Sequence, residues 1–158
     1  MKVLVPTAGA DDAKLIIDFV ANYRWPPKTS FKVVHVVGGC ETESKLNEAQ
    51  SEAEKLVAQV AANLEKVAAG SVVSKEVITG SAIYEILEAA DKWKTNMIVM
   101  GYRTRSLDHI DSIGSVSNGV ITRAPCSVAV VRPPVNAYDP ETQRQSGQVN
   151  QTSPRLMA

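Results

Sequence analysis

Cysteine, histidine and aromatic residues are scarce in this chain. Its 158 residues include two cysteines and two histidines, and Phe, Tyr and Trp together make up 5%. Two cysteines are too few for a disulfide framework, and Cys40 and Cys126 do not have the spacing of a metal site. The sequence therefore predicts neither a disulfide-stabilised nor a zinc-stabilised protein, and we interpret both cysteines as reduced thiols.

The chain also lacks an excess of charge and any long apolar run. Lys+Arg and Asp+Glu number 17 each, so no net electrostatic field attracts nucleic acid or an anionic membrane. No apolar run approaches the roughly 20 residues of a membrane span, and the start, MKVLVPTAG, lacks the apolar stretch of a signal peptide. We therefore expect a cytoplasmic protein of one domain, with neither nucleic acid nor a membrane as partner.

What the sequence does contain is an alternation of short β-branched runs with amphipathic segments. Strands are predicted over residues 2–7, 31–37, 71–78, 97–100 and 127–131. Helices are predicted from Asp11 or Asp12 to just before Trp25, over residues 43–67, from Gly80-Ser81 onwards, and from Gly114-Ser115 to near Arg123. This alternation predicts a parallel sheet with right-handed crossovers in a three-layer α/β/α sandwich.

The stretch from Met97 to Val116 is typical of a phosphate site. An apolar run ends at Gly101, a polar loop follows, and Gly114 and Ser115 open a helix. The first N–H groups of a helix lack intrahelical partners and lie at the positive end of its dipole, so they stabilise an anion. Gly114 permits a close backbone approach to a ligand, and Ser115 is suited to cap the helix or to donate its hydroxyl to a phosphate oxygen.

These residues resemble the C-terminal signature of the universal stress protein family: glycine, two residues, glycine, nine residues, then glycine followed by serine or threonine. Gly101 fills the first place, Thr104 stands where the second glycine belongs, and Gly114-Ser115 close the pattern. The ending Val128 to Arg132 is also similar. The resemblance covers about residues 1–133, which we expect to form one universal stress protein domain. The polar residues 134–158 are expected to be a disordered tail.

The resemblance implies a five-stranded parallel sheet of order 3-2-1-4-5, as in adenine nucleotide alpha hydrolase-like folds, with a ligand crevice between strands 1 and 4. It also implies a homodimer that forms through the last strand, Ser127 to Arg132, and acts in stress response. The implied ligand is ATP or another adenine nucleotide such as AMP, with or without Mg²⁺.

Carried over onto this sequence, the family pattern gives a set of nucleotide-binding residues. Pro6 and Thr7 match the family at the end of the first strand, whereas Ala8 stands where an aspartate is typical, and the backbone near Val36 is where the family's adenine rests. The predicted residues are Pro6, Thr7, Ala8, Val36, Met100, Gly101, Arg103, Thr104, Gly114, Ser115, Val116 and Ser117.

Two alternatives stay open. Ala8 removes a polar contact and Thr104 adds a Cβ in the loop, which favours a dimeric regulatory or structural stress protein that has lost nucleotide binding. An enzyme is the third hypothesis. It would be either a slow ATP hydrolase or a relative of the PP-loop ATP pyrophosphatases, because the segment TAGADDA weakly resembles the loop after the first strand of those enzymes. No histidine, cysteine or serine has an assignable base partner, so no catalytic residue is predicted.

Other chemically conspicuous residues are interpreted as structural. Asp11 and Asp12 are predicted to cap the first helix and to stabilise its dipole. His35 is interpreted as a partly buried, hydrogen-bonded core histidine rather than an imidazole of the site. Trp93 is interpreted as a packing anchor.

Overall fold

Strands and helices alternate strictly along the part of the chain that the structure describes. The computed structural model describes residues 1–39, 42–102 and 114–132. The elements are β1 (Lys2–Pro6), α1 (Ala10–Asn22), β2 (Ser30–Val37), α2 (Glu43–Val67), β3 (Val72–Thr79), α3 (Ala82–Lys92), β4 (Met97–Gly101), α4 (Ser115–Ile121) and β5 (Ser127–Val131). Predictions about residues 103–113, among them Arg103 and Thr104, and about the tail lie outside the described residues.

The start of α1 and the capping residue of α4 differ from the predictions. Helix α1 begins at Ala10 with Gly9 as its N-cap, so the predicted start at Asp11 or Asp12 was one or two residues late. Helix α4 starts where predicted but has Gly114 as its N-cap and no side-chain capping bond. Of the two roles predicted for Ser115, capping is therefore wrong, and donation to a phosphate oxygen stays a prediction. Ser115 is already the first helical residue, because Gly114 adopts the extended ψ of 147° that a cap requires.

The long helix α2 has the predicted bounds. The side chain of its N-cap, Thr42, accepts a hydrogen bond from the backbone N–H of Lys45 at 3.4 Å. Its buried face includes Val57, Val60 and Leu64, whereas Val67 at its end is 38% exposed. No helix in the described ranges is both long and apolar enough to span a bilayer.

The five strands form one parallel sheet of order β3-β2-β1-β4-β5, as the family resemblance implied. In the central pairing, Val3 and Leu4 of β1 lie opposite Met97 and Ile98 of β4. Strand β3 lies at one edge, where its charged residues, Lys75 and Glu76, are favourable because they discourage pairing with another chain. Strand β5 lies at the other edge.

Both faces of the sheet are covered, because successive side chains of a strand point to opposite sides. Val3 and Val5 of β1 pack with α1 and α2, whereas Leu4 between them packs with α3 and α4. All three are fully buried. This explains why β1 is continuously apolar rather than alternating.

Trp93 has the predicted role of a packing anchor, and Cys126 lies on the same side of the sheet. Trp93 packs against the core on the α3 and α4 side, and the Lys2 and Lys32 ammonium groups lie 5.6 and 5.5 Å from its ring centroid. Cys126 packs against the same core. Burial raises the pKa of the Cys126 thiol, so less of the reactive thiolate forms near neutral pH.

The sheet reverses its winding direction at β1. The chain continues to β2 on one side of β1 and later returns to β4 on the other side. Helices α1 and α2 cover one face and α3 and α4 cover the other, so a crevice opens outside the carboxyl ends of β1 and β4. The fold thus places the loop after β1 beside the end of β4.

Candidate functional site

A cavity of about 270 Å³ lies at this reversal of the sheet. It is formed at the carboxyl ends of β1, β2 and β4 and is flanked by the first turns of α1, α3 and α4. The residues that line it are Pro6, Thr7, Ala8, Asp12, Val34, His35, Val36, Ala82, Ile86, Met100, Gly101, Val116 and Ser117.

Most of the residues predicted from the sequence meet in this cavity. Those that line it are Pro6, Thr7, Ala8, Val36, Met100, Gly101, Val116 and Ser117. Gly114 and Ser115 lie at the start of α4, immediately before Val116, but do not line the cavity. Arg103 and Thr104 lie outside the described residues. That these residues bind a nucleotide stays a prediction.

One side of the cavity is apolar. This side, which we call the apolar wall, is formed by Val34, Val36, Ala82, Ile86 and Met100. Most of these side chains belong to or pack against the core between the sheet and α3 and α4. A flat, weakly polar ring is the kind of ligand group that such a wall accommodates.

The loop after β1 is held in place by hydrogen bonds of Thr7. Its backbone N–H donates to the Val34 carbonyl at 2.9 Å and continues the pairing of β1 with β2. Its hydroxyl donates to the Gly9 carbonyl at 3.3 Å. Thr7 is 5% exposed, so the strand's end is fixed before any ligand arrives.

His35 both supports this loop and lines the cavity. Its Nδ1 lies 2.8 Å from the carbonyl oxygen of Thr7. Because a carbonyl only accepts, Nδ1 carries the proton of this bond, which leaves Nε2 as the acceptor of a neutral ring. The predicted hydrogen-bonded, partly buried histidine is confirmed, but its ring also forms part of the site, which the sequence interpretation had set aside.

Asp12 is the functional candidate that sequence reasoning missed. Its Oδ2 accepts a hydrogen bond at 2.8 Å from the backbone N–H of Ala8, which precedes the helix. The prediction that Asp11 or Asp12 caps α1 was wrong, because Gly9 is the N-cap and makes no side-chain capping bond, whereas both acids do lie in the first turn. The half-buried carboxylate of Asp12 also lines the cavity. The sequence signal was available: a helix that starts at the carboxyl end of a central strand directs its first turn towards the crevice.

Gly101 determines how closely α1 approaches β4. A Cβ added to Gly101 would lie 2.5 Å from the Cβ of Asp12 and 3.2 Å from its Cα. A side chain at this position would therefore collide with the first turn of α1. We call Thr7, Ala8, Asp12 and Gly101 the polar rim of the cavity, because these lining residues add backbone polar groups and the Asp12 carboxylate to a lining that is otherwise largely apolar.

The first turn of α4 closes the cavity near β4. Ser117 is 3% exposed, and its hydroxyl lies 3.5 Å from the carbonyl oxygen of Gly101. In the described ranges no group of three or more His, Cys, Asp or Glu residues could hold a metal ion. Asp12 is the carboxylate in the described lining, so Mg²⁺ stays a prediction that depends on phosphates of the ligand.

Comparison with known proteins identifies related chains. The sequence model of the Universal stress protein family matches residues 1–132. A search of curated proteins gives no significant match.

Alignments of this chain with solved structures of the same fold cover nearly the whole length of those structures. The hypothetical protein MJ0577 is 26% identical with a TM-score of 0.72, and the alignment covers 84% of this chain and 96% of that one. A universal stress protein from Archaeoglobus fulgidus is 24% identical with a TM-score of 0.70, and the alignment covers 83% of this chain and 98% of that one. The structure of the universal stress protein from Archaeoglobus fulgidus in complex with dAMP is 21% identical with a TM-score of 0.63, and the alignment covers 83% of this chain and 97% of that one. Fold neighbours also include a universal stress protein in complex with cAMP and an Arabidopsis thaliana family member with AMP bound.

Proposed function

Because this chain belongs to the universal stress protein family, we propose that it binds an adenine nucleotide such as ATP or AMP and acts in stress response as a homodimer. The observation that carries the nucleotide proposal is the cavity at the reversal of the sheet, which is lined by an apolar wall and a polar rim. The complexes of fold neighbours with dAMP, cAMP and AMP support it.

The shape of the site suggests how a nucleotide would lie. The base would rest on the apolar wall beside Val36, and the ribose would lie along the polar rim. The cavity volume of about 270 Å³ lies just below the roughly 300 to 1,000 Å³ of typical ligand pockets, so it suits a nucleoside with its phosphates outside. The phosphates would extend towards Gly114 and Ser115, where the first N–H groups of α4 have no intrahelical partners.

The first prediction concerns ligand-induced stabilisation. AMP or ATP at about 100 times its dissociation constant should raise the free energy of unfolding by about 2.7 kcal/mol, because the ligand binds only the folded state. For a chain of this length, the melting temperature should rise by about 5 to 10 °C. The measurement is thermal unfolding across a nucleotide titration, with CMP and inorganic phosphate as control ligands.

An unchanged melting temperature across millimolar AMP, ADP, ATP, cAMP and dAMP would refute nucleotide binding. It would then favour the alternative in which the family fold serves a regulatory or structural dimer. An equal response to CMP would show that the base is not recognised.

The dimer proposal rests on the exposed edge of β5. Within the described ranges, β5 pairs with β4 on one side only. Its residues Val128 to Val131 are half-buried, so apolar side chains remain partly in contact with water on both faces. A second copy that pairs along this edge would cover them and remove an aggregation-prone strand edge.

The second prediction tests this edge. Val130→Lys should shift the protein from twice the 17.0 kDa chain mass to the monomer mass, because the two copies would bring like charges together in a desolvated interface. The matched control is Val72→Lys on β3, the opposite edge strand, where Val72 is 69% exposed. Both variants are compared with the unmodified protein by sedimentation velocity. If the Val130→Lys variant forms dimers as tightly as the unmodified protein, or if Val72→Lys dissociates the dimer, the interface lies elsewhere.

A further inference from the structure

The cavity contains a carboxylate at a position that the family pattern does not give. We propose that Asp12 is the specificity-determining residue of the nucleotide site and accepts a hydrogen bond from a ribose hydroxyl of the ligand. This inference rests on the proposed nucleotide function. It concerns Asp12 because Ala8, where the family typically has an aspartate, offers no polar side chain.

The backbone geometry brings Asp12 into the cavity. It is the third residue of α1, and this helix starts four residues after β1 ends. The first turn of α1 lies against the end of β4, since a Cβ at Gly101 would be 3.2 Å from the Cα of Asp12. The carboxylate therefore lies between the loop after β1 and the end of β4, where it lines the cavity.

The hydrogen bonding of Asp12 leaves capacity for a ligand. One oxygen, Oδ2, accepts from the Ala8 N–H at 2.8 Å, which fixes the orientation of the side chain. An ionised carboxylate offers two oxygens with about four lone-pair sites in total. The remaining sites can only accept, so the part of the ligand that meets Asp12 must carry a donor.

This requirement selects the ribose among the parts of a nucleotide. A phosphate brings negative charge and would be repelled by the half-buried carboxylate of Asp12. The base is expected on the apolar wall, which is formed largely from the opposite side of the sheet to α1. The ribose lies between them and presents two hydroxyl donors. A site that binds a hydroxyl through a desolvated polar group discriminates against the analogue that lacks it.

The test compares AMP with its 2′-deoxy and 3′-deoxy analogues by isothermal titration calorimetry. The unmodified protein should bind AMP about tenfold to a hundredfold more tightly than at least one of the two analogues, because a hydrogen bond to a charged acceptor is lost. In Asp12→Ala, the affinity for AMP should fall by that factor while the affinity for that analogue stays unchanged. The ratio of the two affinities should therefore approach one.

Two further variants separate recognition from structure. Asp11→Ala removes a neighbouring exposed acid of the same helical turn that does not line the cavity, and it should keep the full preference for AMP. Asp12→Asn retains an oxygen for the Ala8 N–H, so it tests the same ratio if Asp12→Ala does not fold. Its preference for AMP should also decrease.

The outcomes distinguish this inference from the function on which it rests. If Asp12→Ala weakens AMP and both analogues by the same factor, Asp12 acts only by holding the loop, and the inference is overturned. If the unmodified protein binds AMP and both analogues equally, the inference is overturned while the proposed function stands. If it binds none of the three, the proposed function fails and the inference fails with it.

Discussion

Gly101→Val is expected to lower the free energy of unfolding by about 3 kcal/mol and to abolish nucleotide binding. The new Cβ would lie 2.5 Å from the Cβ of Asp12, a distance that atoms not bonded to each other do not tolerate. Neither side can move easily, because β4 is paired on both edges and α1 is anchored by the buried Ala13 and Ile16. Urea denaturation measures the stability, and calorimetry with AMP measures the binding.

Gly9→Ala is the matched control for this substitution. Its added Cβ would lie 3.8 Å from Oδ1 of the same Asp12, which is an ordinary contact. The φ of 175° at Gly9 is an extended conformation that any residue adopts. Because alanine is a poorer N-cap than glycine, the change should lower the free energy of unfolding, but by less than about 1 kcal/mol. If the Gly101→Val variant is as stable as the unmodified protein, Gly101 of β4 does not lie against Asp12 of α1.

Ala82→Trp is expected to reduce nucleotide affinity by at least about a thousandfold, which corresponds to roughly 4 kcal/mol. Ala82 is the first residue of α3, is half-buried and forms part of the apolar wall. An indole at this position would fill space in the cavity of about 270 Å³ that the base would otherwise occupy. The free energy of unfolding should change by less than about 1 kcal/mol, because the new ring enters space that no side chain fills.

Tyr84→Trp provides the control on the same helical turn. Tyr84 is 62% exposed and does not line the cavity, so this variant adds an indole outside the site. Its affinity for AMP and its melting temperature should match those of the unmodified protein. If Ala82→Trp still binds AMP with the original affinity, the nucleotide occupies another part of the molecule, and the site proposed here is wrong.

The sequence predicted the elements well because their signals are local. The bounds of α2 agree with the spacing of its apolar residues, and the continuous apolar run of β1 indicated a strand buried on both faces. The start of α1 and the capping residues of α1 and α4 were predicted less accurately, since Gly9 and Gly114 cap these helices through backbone conformation and not through a side chain. Periodicity alone did not give the strand order. The order followed from the family resemblance, and the sheet confirms it.

The site was predicted only in part. The family resemblance implied eight of the lining residues, and they meet in the cavity because in a parallel sheet the carboxyl ends of neighbouring strands lie at one edge. Asp12 and His35 were assigned structural roles, which they have, and their second role as cavity lining was not predicted. A hydrogen bond to the backbone is a local event that sequence reasoning can anticipate. The side of a crevice on which the same side chain lies depends on how α1 and β2 pack in the folded sheet.

By itself, the sequence determined the family, the alternation of strands and helices, and the glycine at the end of β4. These depend on residue type and on spacing along the chain. Only the tertiary structure decided that the glycine at position 101 admits the first turn of α1 and thereby brings the Asp12 carboxylate into the cavity. The physical reason is that steric exclusion between segments distant in sequence acts only after the sheet has brought them together.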